Sequence, residues 1–332
     1  MTTNATPPPL ATRTAGRRRM WLRRLKYCLP LAVALVAGEA ALRTYVWCRG
    51  WTSNCYATQL FLFRPRDDVG CDLRPGFRLR SSHFEITINS LGLRGPEIVR
   101  DKPPGVRRLA IVGESSTFGY LVRDGEVAAR LLERNLRDRG LKVEVLNAGV
   151  PGYNLNQSTV RFREVIAPLK PDLVLTYLGW NDLTYVVSET PAERRFRVRH
   201  DYVAIPAWER LLGHSTLCGL VIYRIWKRPM QMTPAQIGGT QPTEAGAASF
   251  RANLERLADD VEAAGARLVI CAQATAAHPD VPAELGAWLA DTPQKRVEII
   301  ELGAWLHDTE RDFAAERQFP FFDARAAIEP TT

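Results

Sequence analysis

Four short apolar runs constrain most strongly what this chain can become: RLAIV (Arg108–Val112), KVEVL (Lys142–Leu146), DLVLTYL (Asp172–Leu178) and RLVICAQ (Arg267–Gln273). Each has the length of a strand and is rich in Val, Ile and Leu. Each is also joined to its neighbour through a segment with apolar residues at helical spacing. Val127, Leu131, Leu132 and Leu136 mark a helix over Gly125–Arg139, and NLNQSTVRFREVIAPL leads through a second helix to Pro168. Ala245–Ala264 precedes the fourth run, and Pro293–Glu310 precedes a last strand in FPFFD. Strands alternating with helices of this length predict an α/β fold with a parallel sheet covered on both faces. With 332 residues, 46% of them hydrophobic, the chain can bury such a core.

The formal net charge of +8 suggests a polyanionic partner until it is located. Arg13, Arg17, Arg18, Arg19, Arg23, Arg24 and Lys26 fall in the first 26 residues, which contain no acid. The remainder is close to neutral, so a nucleic-acid reading has no support. The cluster runs directly into YCLPLAVALVAGEAALRTYVW, Tyr27–Trp47, about the ~20 residues a spanning helix requires. Basic residues on its N-terminal side place that end in the cytoplasm and the rest of the chain outside. Glu39 is a polar interruption, with Arg43 at i+4 positioned to pair with it. A cleaved signal peptide, with Gly38-Glu39-Ala40 as the cleavage site, and a buried core helix are the competing readings.

The expected organisation is a basic cytoplasmic tail over 1–26, whose residues 1–16 read as disordered, and a transmembrane helix over 27–47. A connecting region with short β elements follows over 48–105, then a catalytic-type domain over 106–332. Within the connecting region FEITINSLGLRGPE alternates and then breaks at Gly92 and Gly95-Pro96, as a strand and turn would. Cys48, Cys55 and Cys71 lie just beyond the apolar run, where disulfides persist; Cys48 and Cys55 are spaced to close a small loop or to remain free thiols. No CxxC or HExxH occurs, so neither a metal nor a cofactor is expected.

Between 183 and 245 the βα rhythm fails, which marks an insertion or lid. It contains Arg194, Arg195, Arg197 and Arg199, read as a solvated face or as a surface for anionic lipid or polysaccharide, and GHSTLCGLVIYRIWK, read as one amphipathic helix.

Ligands in open α/β sheets bind outside the carboxyl ends of the strands. The first strand is followed by Gly113-Glu114-Ser115-Ser116-Thr117, the second by Asn147-Ala148-Gly149-Val150-Pro151-Gly152-Tyr153-Asn154, the third by Gly179-Trp180-Asn181-Asp182. Singly, these read as helix caps and turns. In order, they resemble the SGNH (GDSL) hydrolase superfamily over Arg107 to about Asp323. The preceding Pro75-Gly76-Phe77 and INSLGLRGPE (Ile88–Glu97) are similar to the layout of its membrane-anchored bacterial members.

The resemblance implies a three-layer α/β/α domain with a flavodoxin-like sheet. It also implies Ser115 as nucleophile, with its own N–H, the Gly152 N–H and the Asn181 carboxamide as an oxyanion hole. Two departures stand out. Glu114 replaces the usual Asp, a largely structural position in the family. The D-x-x-H motif that supplies base and orienting acid is absent, and the sequence stops nine residues past Asp323, near where that loop is expected. A fragment or a natural variant without its base are the alternatives. Among the remaining histidines, His278 with Asp280 follows the RLVICAQ strand on the correct edge, whereas His307 is expected on a helix surface. The function implied is an inner-membrane, single-pass esterase on the periplasmic side, acting on O-acetyl or similar acyl esters of an envelope glycan. An O-acyltransferase using the same serine, and an inactive glycan- or protein-binding module, are the alternatives.

Overall fold

In the computed structural model the sheet is ordered β6-β5-β7-β8-β9, with every neighbouring pair parallel. The structure describes residues 10–56, 61–82, 85–120, 122–187, 207–226, 239–274 and 293–327.

In chain order, α1 (Leu10–Cys48) leads to two antiparallel hairpins, β1 (Phe63–Arg66) with β2 (Gly70–Leu73) and β3 (Arg78–Arg80) with β4 (Glu85–Thr87). Then come β5 (Arg107–Gly113), α2 (Ser115–Phe118), α3 (Ala128–Asp138), β6 (Val143–Asn147), α4 (Leu155–Arg161), β7 (Leu173–Tyr177) and α5 (Leu183–Val186). The insertion contributes α6 (Ala207–Leu212) and α7 (Thr216–Ile225). The chain continues through α8 (Glu244–Ala263), β8 (Arg267–Ala272), α9 (Pro293–Glu316) and β9 (Phe321–Asp323).

Side chains alternate across the sheet as a pleated strand requires. Ala110 and Val112 of β5 join Leu146, Val174, Leu268 and Ile270 in the main core, closed by Phe250, Leu254 and Leu257 of α8 and Leu302 and Phe313 of α9. Ile111, Val143 and Val145 face the other way, onto Ala129, Leu132 and Leu136. Each fully buried aliphatic side chain contributes about 1.5–3 kcal/mol, so this two-sided burial fixes the register. Asn154 and Gln157 form a capping box that starts α4, and Thr243 caps α8 by accepting the Gly246 N–H at 3.0 Å.

Several expectations need correction. The helix read over Gly125–Arg139 begins only at Ala128, because Asp124–Glu126 makes a 3₁₀ turn first. Residues 10–16 are helical rather than a disordered tail, because no proline interrupts Leu10–Gly16 and the helix runs on into the basic cluster. The segment read as one amphipathic helix, over 213–227, does hold one helix, which Ser215 caps at Thr216 and which ends at Ile225; the separate helix α6 precedes it. Cys48, Cys55 and Cys71 are unbridged: Cys48 is exposed while the other two are buried. Burial pushes the Cys55 thiol up to about 11 and the Cys71 thiol up to about 12. The Arg194–Arg199 cluster lies outside the described residues.

The stretch over 48–105 is not a passive connector. Its hairpins form a second core in which Leu62, Val69, Leu73, Leu79 and Ile88 pack on Phe118, Val150 and Tyr153 of the sheet-edge loops. Within α1, Cys28–Cys48 is 21 residues, long and apolar enough to cross a membrane.

Candidate active site

The three strand-end loops meet at one rim of the sheet, and hydrogen bonds between them explain why. Strand β5 ends at Gly113, and Glu114 turns the chain so that Ser115 opens α2. The Glu114 side chain is buried and its carboxylate accepts the backbone N–H groups of Trp180 (2.9 Å) and Asn181 (3.0 Å). That ties the loop after β7 to the loop after β5. The Asn181 side chain in turn donates from Nδ2 to the Tyr153 carbonyl at 2.8 Å, reaching the residue after Gly152. Closing the circuit, Val150 N–H donates to Gly113 O at 3.1 Å and Asn147 Nδ2 to Thr117 O at 2.9 Å.

Two glycines make this convergence possible. A Cβ at Gly149 would stand 2.4 Å from the Phe118 nitrogen, so only glycine lets the loop after β6 press against α2. Gly152 has φ +82°, a left-handed conformation that other residues rarely adopt.

Ser115, Gly152 and Asn181 are all half-buried, on the loops that meet at this rim. The Ser115 hydroxyl makes no hydrogen bond to any described residue, whereas Ser116 Oγ accepts one from Gln273 Nε2 at 2.9 Å. The backbone N–H groups of Ser115 and Gly152 are likewise unused among the described residues. Asn181 Nδ2 donates to Tyr153, and the same side chain also hydrogen-bonds the Glu114 carboxyl. The arrangement therefore offers one hydroxyl and two unused backbone donors at one rim, with a carboxamide beside them, groups of the kind that stabilise an oxyanion.

Three carboxyls lie beneath this rim. Burial pushes Glu114 up to about 7, against the opposing effect of the N–H groups it accepts. Asp182 is raised well above the usual carboxylate range, first by burial and then by the Glu114 charge, and accepts the Leu155 N–H at 2.9 Å. Glu310 is raised likewise by burial and by those two charges, and its Oε1 has no partner among the described residues.

Beside the rim, a cleft of about 250 Å³ is lined by Trp180, Gln273, His307, Glu310 and Arg325 among others. His307, expected on a helix surface, faces this cleft and its Nε2 lies 3.1 Å from Asp323 Oδ2. It is a carboxylate-paired imidazole that shares the cleft with Gln273, whose Nε2 donates to Ser116 beside Ser115. His278 lies outside the described residues.

The residues that brace the site were the ones sequence reading missed. Arg94, in LGLRG, is buried and donates to the carbonyls of Glu85, Phe118, Gly119 and Val122, with its guanidinium 4.7 Å from the Phe118 ring centre. Arg161 donates to Asp72, Ala148 O and Gly92 O. Both arginines fasten the hairpin region to the site loops. The compact INSLGLRGPE segment draws attention to Arg94 without naming its partners, and Arg161 has no comparable signal in the sequence.

Residues 111–332 match the sequence model of the GDSL-like Lipase/Acylhydrolase family. No curated protein matches the chain. Among solved structures, AlinE4, described as an SGNH-hydrolase family esterase, is 17% identical over 70% of this chain and 87% of that one, with a TM-score of 0.37. A lipase/acylhydrolase from Enterococcus faecalis is 19% identical over 67% and 77%, with a TM-score of 0.36. The acetyl xylan esterase AlAXEase is 14% identical over 66% and 78%, with a TM-score of 0.38. Strand order, rim loops and the match over 111–332 agree: the chain belongs to the GDSL-like lipase/acylhydrolase family, with the SGNH α/β/α fold.

Proposed function

We propose that the protein is a membrane-anchored serine esterase that cleaves small acyl esters, with O-acetyl groups on an envelope glycan as its substrate class. Ser115 Oγ attacks the ester carbonyl carbon while its proton passes to His278, in the segment after β8. The negative charge that builds on the carbonyl oxygen is met by the N–H groups of Ser115 and Gly152 and by Asn181 Nδ2. Collapse of the tetrahedral intermediate expels the alcohol, which takes the proton back, and water then hydrolyses the acyl-serine. If a sugar hydroxyl enters in place of water, the same serine performs transfer.

The observation that carries this reading is the bonded circuit from Glu114 to Asn181 to Tyr153, which brings a free hydroxyl and unused donors to one rim. The cleft beside it combines an apolar wall of Trp180, Leu183, Ile300 and Leu306 with polar Gln273, His307 and Arg325, a mixture that suits a small acyl ester on a polar carrier. The apolar Cys28–Cys48 segment behind a basic flank supports an anchor in the inner membrane with the domain on the periplasmic side.

A fluorophosphonate probe on the full chain in membranes provides the test. Labelling of the wild type, its loss in Ser115→Ala and its retention in Ser116→Ala are expected. Labelling that survives Ser115→Ala would overturn the assignment.

A further inference from the structure

The insertion helix α7 packs on α1, within the stretch long enough to cross a membrane, and Thr216 Oγ1 also donates to the Ser53 carbonyl at 2.9 Å, just past that stretch. Glu39, nine residues before Cys48, accepts the backbone N–H of Thr216 at 2.9 Å and of Leu217 at 2.8 Å, together with the Ser215 hydroxyl at 2.8 Å. Arg43 pairs with the same carboxylate at 2.5 Å and donates to His214 O at 2.7 Å. Gly38 admits Leu217 against the helix, whose Cδ2 lies 3.6 Å from where a Cβ would stand.

These contacts fix a depth. Lys26 and the arginines before it cannot enter hydrocarbon cheaply, so the span starts near Cys28 and ends near Cys48. At 1.5 Å per residue Glu39 lies about 13 Å inside the C-terminal end, close to the middle of a ~30 Å hydrocarbon core. Whatever touches Glu39 shares that depth. A helix start in lipid exposes N–H groups that no water can satisfy. Here the Glu39 carboxylate and the Ser215 hydroxyl, which accepts the Cys218 N–H at 3.1 Å, take that role. The polar interruption in the span and the cap of the second helix are thus one device.

The outward faces fit the same setting. Leu211 is 73% exposed, Ile225 62% and Trp226 71%, alongside exposed Val33 and Val36 on α1. The Thr216–Ile225 helix is itself apolar, though too short to span. A tryptophan at the end of an apolar helix is the side chain favoured at the boundary between acyl chains and headgroups.

We propose that residues 207–226 form a second membrane element, a helical hairpin seated in the outer leaflet against α1, with Leu211, Ile225 and Trp226 facing phospholipid acyl chains. It rests on the anchor reading of α1 given above. The hairpin fixes the catalytic domain against the membrane surface, rather than leaving it on a free tether.

The test places p-benzoylphenylalanine at Leu35, Ile225, Trp226 or Val99 of the full chain, in vesicles of phosphatidylethanolamine and phosphatidylglycerol carrying radiolabelled acyl chains. After irradiation, lipid adducts are expected at Leu35, Ile225 and Trp226, and none at Val99, which is exposed on the sheet domain. Adducts at Leu35 alone would overturn the hairpin while leaving the anchor standing. Adducts at none of these positions would overturn the anchor and the hairpin with it. In a Glu39→Ala background the Ile225 adduct is expected to fall several-fold with the Leu35 adduct unchanged; an undiminished Ile225 adduct would overturn the capping role of Glu39.

Discussion

The Glu114 carboxylate holds the backbone N–H of Asn181 at 3.0 Å, so a group buried beneath β5 positions a donor on the far side of the serine. This is what the acidic residue before Ser115 does: its carboxylate reaches the N–H groups of Trp180 and Asn181 together.

A pH dependence follows from that burial. Glu114 is pushed up to about 7, above the 4.5 of an unburied side chain, so the folded state binds a proton that the unfolded state has released. Stability from this group is complete below pH 4.5 and is lost as pH rises through 7, a fall of about 3 kcal/mol. Asp182 and Glu310, raised by burial and by their neighbours' charges, act with the same sign. Asp72, whose burial is outweighed by Arg161, and Asp172, whose burial is outweighed by Lys102, are depressed below 3.8 and act only in stronger acid. Thermal unfolding from pH 5 to 8 should therefore show a falling midpoint, reduced in slope in Glu114→Gln. A midpoint flat or rising over that range would contradict the assignment.

The second prediction concerns Arg94. Its guanidinium satisfies carbonyls of Glu85, Phe118, Gly119 and Val122, and pairs with Asp124 at 3.2 Å. Arg94→Met leaves these groups buried without donors, and the cost of breaking such a buried charged network is about 3–5 kcal/mol. Arg94→Lys restores the charge but not the fork, and should recover only part of that loss. Urea unfolding followed by tryptophan fluorescence measures both variants. Arg94→Met with a wild-type midpoint would show that these bonds are dispensable.

The sheet was legible because strands buried on both faces write their register as unbroken Val, Ile and Leu, as in RLAIV and DLVLTYL, and the rim loops followed from the strand ends. What escaped was every contact between residues distant in sequence. Nothing local marks Arg94 as the partner of Phe118 and Gly119, His307 as the partner of Asp323, or Glu39 as the cap of Thr216. A long polar side chain satisfied across the fold has no period. The cysteines show the limit of spacing alone: Cys48 and Cys55 are spaced for a small loop or for free thiols, and the fold decides for free thiols, with Cys48 exposed at the end of α1 and Cys55 buried.

Asn181 separates catalytic from structural roles. Its Nδ2 hydrogen bond to Tyr153 O, 2.8 Å, contributes about 1 kcal/mol to folding, as a neutral hydrogen bond does. In the proposed mechanism the same carboxamide turns toward charge that appears only in the transition state. Asn181→Ala should therefore lower kcat on an acetyl ester by about 10²–10³ while KM stays close to wild type. Thermal unfolding of the same variant should move only slightly. Asn181→Asp keeps the size but turns the donor into an acceptor above the buried Glu114 and Asp182 carboxyls, so it should be no more active than the alanine variant. A kcat within a few-fold of wild type for Asn181→Ala would remove the carboxamide from the oxyanion hole; a KM rise with kcat intact would make it a ground-state binding group instead.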